Sequence, residues 1–313
     1  MAPNVILEGR YRIHRILGRG GMGTVYEGQH VQMGRPVAIK VLRSHRRRQG
    51  NSAQRLAREA QIAGSLGHPH ICQVYDMGYL EDGSPYVVME RLVGWTLAQR
   101  LSTEGALPLD QAMLILEQTL SALHAAHRNG VIHRDIKPDN VFLTMDATGM
   151  PFVKVLDFGL AKLVQSNRDS YTDPGVVLGT PAYMAPEQLL GLGADERTDI
   201  FACGVVLFEM VAGRPPFVGK DHAALCAAIA HATPPDPREF RRETPESIVE
   251  VIQRALVKRP AGRFGDVQEF LVHVRNLRGA LSDLPPPRTL PFPSQGLSSD
   301  EILVTIDEEP TLS

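Results

Sequence analysis

With 313 residues, 43% of them hydrophobic and 22% charged, the chain has enough apolar sequence for a large core, which excludes wholesale disorder. Its 33 Lys and Arg against 35 Asp and Glu give a formal charge of −2, so no overall basic field points to nucleic acid. Cys72, Cys203 and Cys226 lie far apart with no C-x-x-C spacing, which argues against a disulfide framework or a zinc site and for a reducing, cytoplasmic setting.

Residues 1–10 lack a basic stretch followed by a long apolar one, so a secretory leader is not expected. Residues 11–17, 24–30 and 36–42 are short, rich in β-branched or aromatic side chains and separated by glycine-bearing turns, which predicts strands. Ala53, Leu56, Ala60 and Ala63 then recur at helical spacing, predicting one helix over 51–66. Strand patterns return at 71–77 and 86–90, and after Val93-Gly94 the pattern turns helical. Met113, Leu116, Leu120 and Leu123 share a helix face that Asn129-Gly130 would terminate. Further helices are predicted over 198–212, 220–231, 245–257 and 266–280. A strand-rich part with one helix followed by a helix-rich part implies two lobes with a cleft between them. No apolar run approaches the ~20 residues of a membrane span. From residue 282 the chain carries six prolines and six acids against the single Arg288, which predicts a flexible acidic tail over 282–313.

Gly18, Gly20 and Gly23 form a G-x-G-x-x-G pattern, which lets backbone N–H groups approach phosphates but also occurs in ordinary glycine-rich turns. A dinucleotide-binding loop would lead into a helix and carry an acid ~20 residues on, whereas here a strand pattern follows and Ala38 occupies that place. Lys40 lies in a Val-Ala-Ile-Lys strand, where it can snorkel to water or, held by an acid such as Glu59, meet phosphates. His133-Arg134-Asp135-Ile136-Lys137-Pro138-Asp139-Asn140 is more specific. It offers an acid to orient a hydroxyl, a cation for phosphate and an oxygen ligand for a hard metal. Asp157-Phe158-Gly159 follows an apolar strand that can project its carboxylate into a cleft.

Together with Ala185-Pro186-Glu187, these motifs stand in the order of a protein kinase catalytic domain, and the chain resembles the Hanks-type, eukaryotic-like Ser/Thr kinases of bacteria. The resemblance implies an α+β, two-lobed protein-kinase-like fold. A small antiparallel-sheet lobe with one helix would cover about residues 11–92, and a larger helical lobe about 93–281. It implies transfer of the γ-phosphoryl group of ATP, with Mg²⁺, to Ser or Thr hydroxyls of proteins. Lys40 would hold the α- and β-phosphates and pair with Glu59, Asn140 and Asp157 would hold the metal, and Asp135 would orient and deprotonate the acceptor. Lys137 would sit on the γ-phosphate, and Thr180 would help select Ser/Thr acceptors. Adenine would dock after Met89 on the backbone of Glu90 and Leu92, with Leu17, Val25 and Ala38 above it and Phe142 or Leu143 beneath.

Asp199 would brace the catalytic loop, Glu187 would pair with Arg263, and Ala63, Val74, His133 and Phe158 would stack between the lobes. Phosphorylation of the loop after Asp157, at Thr172 or Ser170, would engage Arg134 and raise activity. A transient dimer of kinases would serve autophosphorylation. Two other readings are a pseudokinase scaffold that binds nucleotide or partners without turnover, and a small-molecule phosphotransferase. The intact catalytic positions argue against the first and the Gly179-Thr180-Pro181 segment against the second.

Overall fold

The computed structural model describes residues 4–20, 23–42, 66–158 and 181–281. Within these, the N-terminal lobe is a six-stranded antiparallel sheet in the order β1-β2-β3-β4-β6-β5. Its strands are β1 (Ile6–Leu7), β2 (Tyr11–Gly20), β3 (Gly23–His30), β4 (Pro36–Leu42), β5 (Val74–Tyr79) and β6 (Pro85–Glu90). Alternation sorts the side chains between its faces. Tyr11, Ile13, Tyr26, Val37, Ile39, Tyr86 and Val88 form one buried cluster. Register places Val25 opposite Lys40, Lys40 opposite Val87 and Ala38 opposite Met89, so these five share the other face. The glycine segment is the end of a hairpin, with Gly18 paired to Val25 and Gly20 to Gly23. A Cβ on Gly23 would sit 2.1 Å from the Val41 carbonyl oxygen, so glycine is required there by the neighbouring strand itself.

The C-terminal lobe begins with a three-stranded antiparallel sheet of β7 (Trp95–Thr96), β8 (Val141–Met145) and β9 (Pro151–Val155). Its helices are α1 (Leu97–Glu104), α2 (Leu109–His127), α3 (Pro186–Leu189), α4 (Glu196–Ala212), α5 (His222–His231), α6 (Glu246–Ala255) and α7 (Val267–Leu281). Thr96 opens α1 with a reciprocal cap, accepting from Gln99 N at 3.2 Å while Gln99 Oε1 accepts from Thr96 N at 2.9 Å. Helix α4 is buried on almost every side from Thr198 to Val211, as expected for a helix apolar all round, and forms the centre of the lobe.

The predicted strand at 71–77 begins only at Val74. Its first residues cross instead to β9: Ile71 bridges Val155, Val155 N donates to His70 O at 2.9 Å and Cys72 N donates to Val155 O at 2.9 Å. The short β7 and β8 carried no sequence expectation. The helix predicted over 51–66, apart from residue 66, and the tail predicted over 282–313 lie outside the described residues. Among the described residues no helix is long and apolar enough to cross a membrane.

Candidate active site

The cleft between the lobes collects residues from five separate segments. Lys40, on the cleft face of β4, is 2% exposed, and its Nζ bonds directly to the Asp157 carboxylate. That carboxylate is aimed by a backbone in the left-handed region, φ +61°, which non-glycine residues seldom adopt. Leu17, Val25 and Ala38 form a small apolar cluster joined by Met89, roofing the inner end of the cleft. Leu143 and Phe142 are buried on β8, where Leu143 pairs with Trp95 and Phe142 with Thr96.

The catalytic-loop candidates are held by short-range bonds. Pro138–Asn140 is a 3-10 turn in which Asn140 N donates to Lys137 O at 3.0 Å. Asn140 Nδ2 donates to Asp135 O at 2.7 Å and to Asp135 Oδ2 at 3.0 Å, fixing the Asp135 carboxylate. Lys137 Nζ lies 4.0 Å from the same oxygen. Asn140 O accepts from Leu156 N at 2.9 Å, so the loop is tied to the segment that presents Asp157.

His133 braces that segment as well. Its Nε2 lies 2.8 Å from Leu156 O, and its ring meets Phe158 edge-on at 4.7 Å. Val74, expected in the same stack, packs beside Leu42 and Val87, while Ala63, the expected link between it and Phe158, lies outside the described residues. Asp199, fully buried on α4, accepts from His133 N at 2.9 Å, from Arg134 N at 2.8 Å and from His127 Nε2 at 2.8 Å. Those bonds hold Arg134 at φ +67°. Farther down, Arg263 grips Glu187 through two bonds of 2.8 Å. Tyr183 donates to Glu209 at 2.7 Å, and burial followed by the neighbouring Asp139 holds the Glu209 carboxyl above its ordinary range despite that bond.

Lys40, Asp135, Lys137, Asn140 and Asp157 are thus connected around one cleft, with Leu17, Val25, Ala38 and Met89 beside them. Gly18, Gly20 and Gly23 lie on the hairpin above; Glu90 and Leu92 lie at the connection between lobes. Glu59, Ala63, Ser170, Thr172 and Thr180 lie outside the described residues. Sequence reasoning gave no role to His127, Lys154 or Gln188. Gln188 Nε2 donates to Arg134 O at 3.0 Å, and Lys154 Nζ donates to Glu90 Oε1 at 2.7 Å. The alternation Val153-Lys154-Val155 was a signal for Lys154, since it places one cation on the side of β9 away from the buried valines.

A buried cation on a sheet, an amide and a carboxylate beneath it, and a second carboxylate nearby can bind a polyphosphate–metal complex and orient a hydroxyl towards it. Residues 11–274 match the protein kinase domain family, and the chain belongs to it. It is 41% identical over 262 residues to the serine/threonine-protein kinase Pkn1 of Myxococcus xanthus, covering 84% of this chain and 37% of that protein. It is 35% identical over 319 residues to the serine/threonine-protein kinase PknB of Mycobacterium tuberculosis, covering 94% of this chain and 50% of that protein. The chain therefore spans half or less of the length of these two relatives. The crystal structure of the PknI kinase domain of M. tuberculosis superposes with a TM-score of 0.70 at 30% identity, covering 88% of this chain and 99% of that one. The domain is of the bacterial Hanks-type serine/threonine kinase kind.

Proposed function

We propose that the protein transfers the γ-phosphoryl group of ATP to Ser or Thr hydroxyls of protein substrates. The observation that carries this reading is the bonded convergence of Lys40, Asp157, Asn140 and Asp135 in one cleft. Residues 11–281 form the catalytic domain, and 282–313 are an acidic extension of it.

Mg²⁺ is the metal we assign. Among the described residues no cluster of three or more His, Cys, Asp or Glu could enclose an ion. Mg²⁺ asks for less, because it keeps waters and takes one or two protein oxygens plus substrate phosphates. Both amide hydrogens of Asn140 are committed to Asp135, so its amide oxygen is what it has to offer a cation, beside the Asp157 carboxylate. When bound, the metal would neutralise phosphate charge.

The chain's own residues do the rest. Lys40 releases Asp157 to receive the α- and β-phosphates, and Glu59 steadies its ammonium. Leu17, Val25, Ala38 and Leu143 exclude water around adenine, whose edge meets the backbone of Glu90 and Leu92. The hairpin glycines Gly18, Gly20 and Gly23 cover the phosphates. Asp135, its Oδ2 held by Asn140, accepts the hydroxyl proton while Lys137 faces the transferred group, and Thr180 helps position the acceptor. A phosphate on Thr172 or Ser170 would order the loop by pairing with Arg134. A transient kinase dimer would deliver that phosphate. The three free thiols favour a reducing, cytoplasmic setting for the domain.

Incubation of the purified chain with MgATP should phosphorylate protein, with Asp135→Asn slowing transfer by about 10²–10⁴-fold, the usual worth of a positioned acid or base. Transfer by Asp135→Asn at more than a tenth of the wild-type rate would refute the assignment. Phosphate appearing only on small molecules would refute the protein-substrate reading.

A further inference from the structure

Lys154 gains a place in this chemistry from its partners. Pro151, Val153 and Val155 of β9 are buried, while Phe152 and Lys154 point the other way and are only half-buried. Lys154 Nζ reaches Glu90 Oε1 at 2.7 Å, and both side chains are well covered, with exposures of 16% and 19%. The same carboxylate oxygen accepts from Gln73 N at 2.8 Å, while Glu90 N donates to Gln73 O at 2.9 Å. Gln73 follows Cys72, whose N–H bonds to Val155 O at 2.9 Å. Glu90, Gln73, Cys72, Val155 and Lys154 therefore close a ring of bonds joining the end of β6 to β9. The next residue, Arg91, pairs with Glu27 on β3 at 2.6 Å, so the connection between lobes is fastened on both sides.

Both ends of the nucleotide site hang from this ring. Glu90 contributes the backbone that receives adenine, and Asp157 lies three residues after Lys154 in the chain. We propose that Lys154 is a positioning residue for nucleotide binding, acting through the Glu90 carboxylate to set the adenine-binding backbone in register with β9. This rests on the reading of the cleft as an ATP site. A lysine on a solvated strand face would contribute little, because exposed ion pairs are weak. Here the pair is largely removed from water and its carboxylate carries two donors. Without the ammonium, Glu90 keeps among the described residues only the Gln73 N–H and no ion-pair partner, and a half-buried carboxylate in that state turns towards water. His68 and His70 do not replace the cation. Burial, the largest cause for each, holds both below the ordinary imidazole value, and it remains when Lys154 is replaced.

The test is calorimetric titration of the full chain with two probes, ADP and magnesium tripolyphosphate, which lacks a base. Lys154→Met should weaken ADP about tenfold, the lower end of what outer-shell partners cost. Tripolyphosphate affinity should stay within about twofold, and Lys154→Arg should recover most of the ADP affinity. An unaltered melting temperature establishes that the fold is intact; if Lys154→Met fails to fold, Lys154→Gln takes its place. ADP affinity unchanged within about twofold, or both probes weakening together, overturns the proposal. If the wild-type chain binds neither probe, the ATP-site reading itself falls. If wild type binds both and the variant matches it, only the role of Lys154 falls.

Discussion

Arg263 supplies the most exposed test of how the catalytic lobe is held together. Its side chain is 0% exposed and that of its partner Glu187 is 9% exposed. All five of its N–H groups are used. Two meet the Glu187 oxygens at 2.8 Å each, and the others donate to Val257 O at 2.8 Å, Arg197 O at 2.8 Å and Lys258 O at 3.0 Å. Arg263→Met leaves a buried carboxylate uncompensated and three carbonyls without that donor, and breaking such a pair costs about 3–5 kcal/mol. At about 2 °C per kcal/mol for a domain of this size, the melting temperature should fall by about 6–10 °C in scanning calorimetry. Arg238→Met is the control: its pair with Glu246 has side-chain exposures of 39% and 62%, and the shift should stay under about 1–2 °C. Burial by itself would raise the Glu187 carboxyl, but the Arg263 fork overcomes it and holds the group below its ordinary 4.5. A depressed folded value gives stabilisation that is complete above the unfolded value and is lost as pH falls through the folded one. The difference between wild type and Arg263→Met should therefore narrow on acidification below pH 4.5. A drop under about 2 °C at neutral pH would refute the reasoning, because an exposed pair would give as much.

Gly94 has φ +147°, and a Cβ there would stand 2.0 Å from Leu143 O and 3.2 Å from Phe142 Cε1. Gly94→Ala should cost about 2–4 kcal/mol by calorimetry and weaken ADP binding, since the strand under the base must move; unchanged affinity would sink that link. Lys258, half-buried with its Nζ 3.7 Å from the Phe217 ring centroid and bonded to Ile229 O at 2.6 Å, is pushed down to about 8 by burial and then by Arg263. Between pH 8 and 10.5 the unfolded chain holds a proton that the folded one lacks, so this group makes stability rise with pH there. Lys258→Met should remove that slope in denaturant titrations, and an identical slope in the variant would refute it.

What the sequence made legible was whatever is encoded over a few residues. Asp135, Lys137 and Asn140 are so close in the chain that one 3-10 turn brings them together, and Val-Ala-Ile-Lys announces a strand by composition alone. The long helix containing Met113 and Leu123 was visible because its buried stripe repeats for nineteen residues. The departures come where tertiary bonds outrank local pattern. Ile71 and Cys72 look like strand residues and do bond as such, but to β9 on the other lobe, because Val155 has a free edge for them. Trp95–Thr96 and Val141–Met145 are too short for periodicity to declare. His127 ends an apolar helix, and nothing local marks it as a donor to Asp199, 72 residues away. Lys154 carries only the mark of its strand's alternation, which places it on a face but does not name its partner, 64 residues distant.

These long-range bonds explain how the site keeps two backbone conformations that its own sequence disfavours. Arg134 and Asp157 both have positive φ, at +67° and +61°, and each such residue costs on the order of 1–3 kcal/mol. Arg134 is held because Asp199 takes its N–H and Gln188 donates to its carbonyl, one from α4 and one from α3. Asp157 is held because its carboxylate meets Lys40 and the preceding Leu156 is fixed at both ends, N–H to Asn140 and carbonyl to His133. Asp199 could not do this from the surface, where water would compete for its oxygens. Buried, it must find donors to offset its desolvation, and the strained loop supplies two of the three. The bonds between them offset both the cost of burying one carboxylate and the cost of bending one loop, which is why the loop's shape is fixed before any substrate arrives.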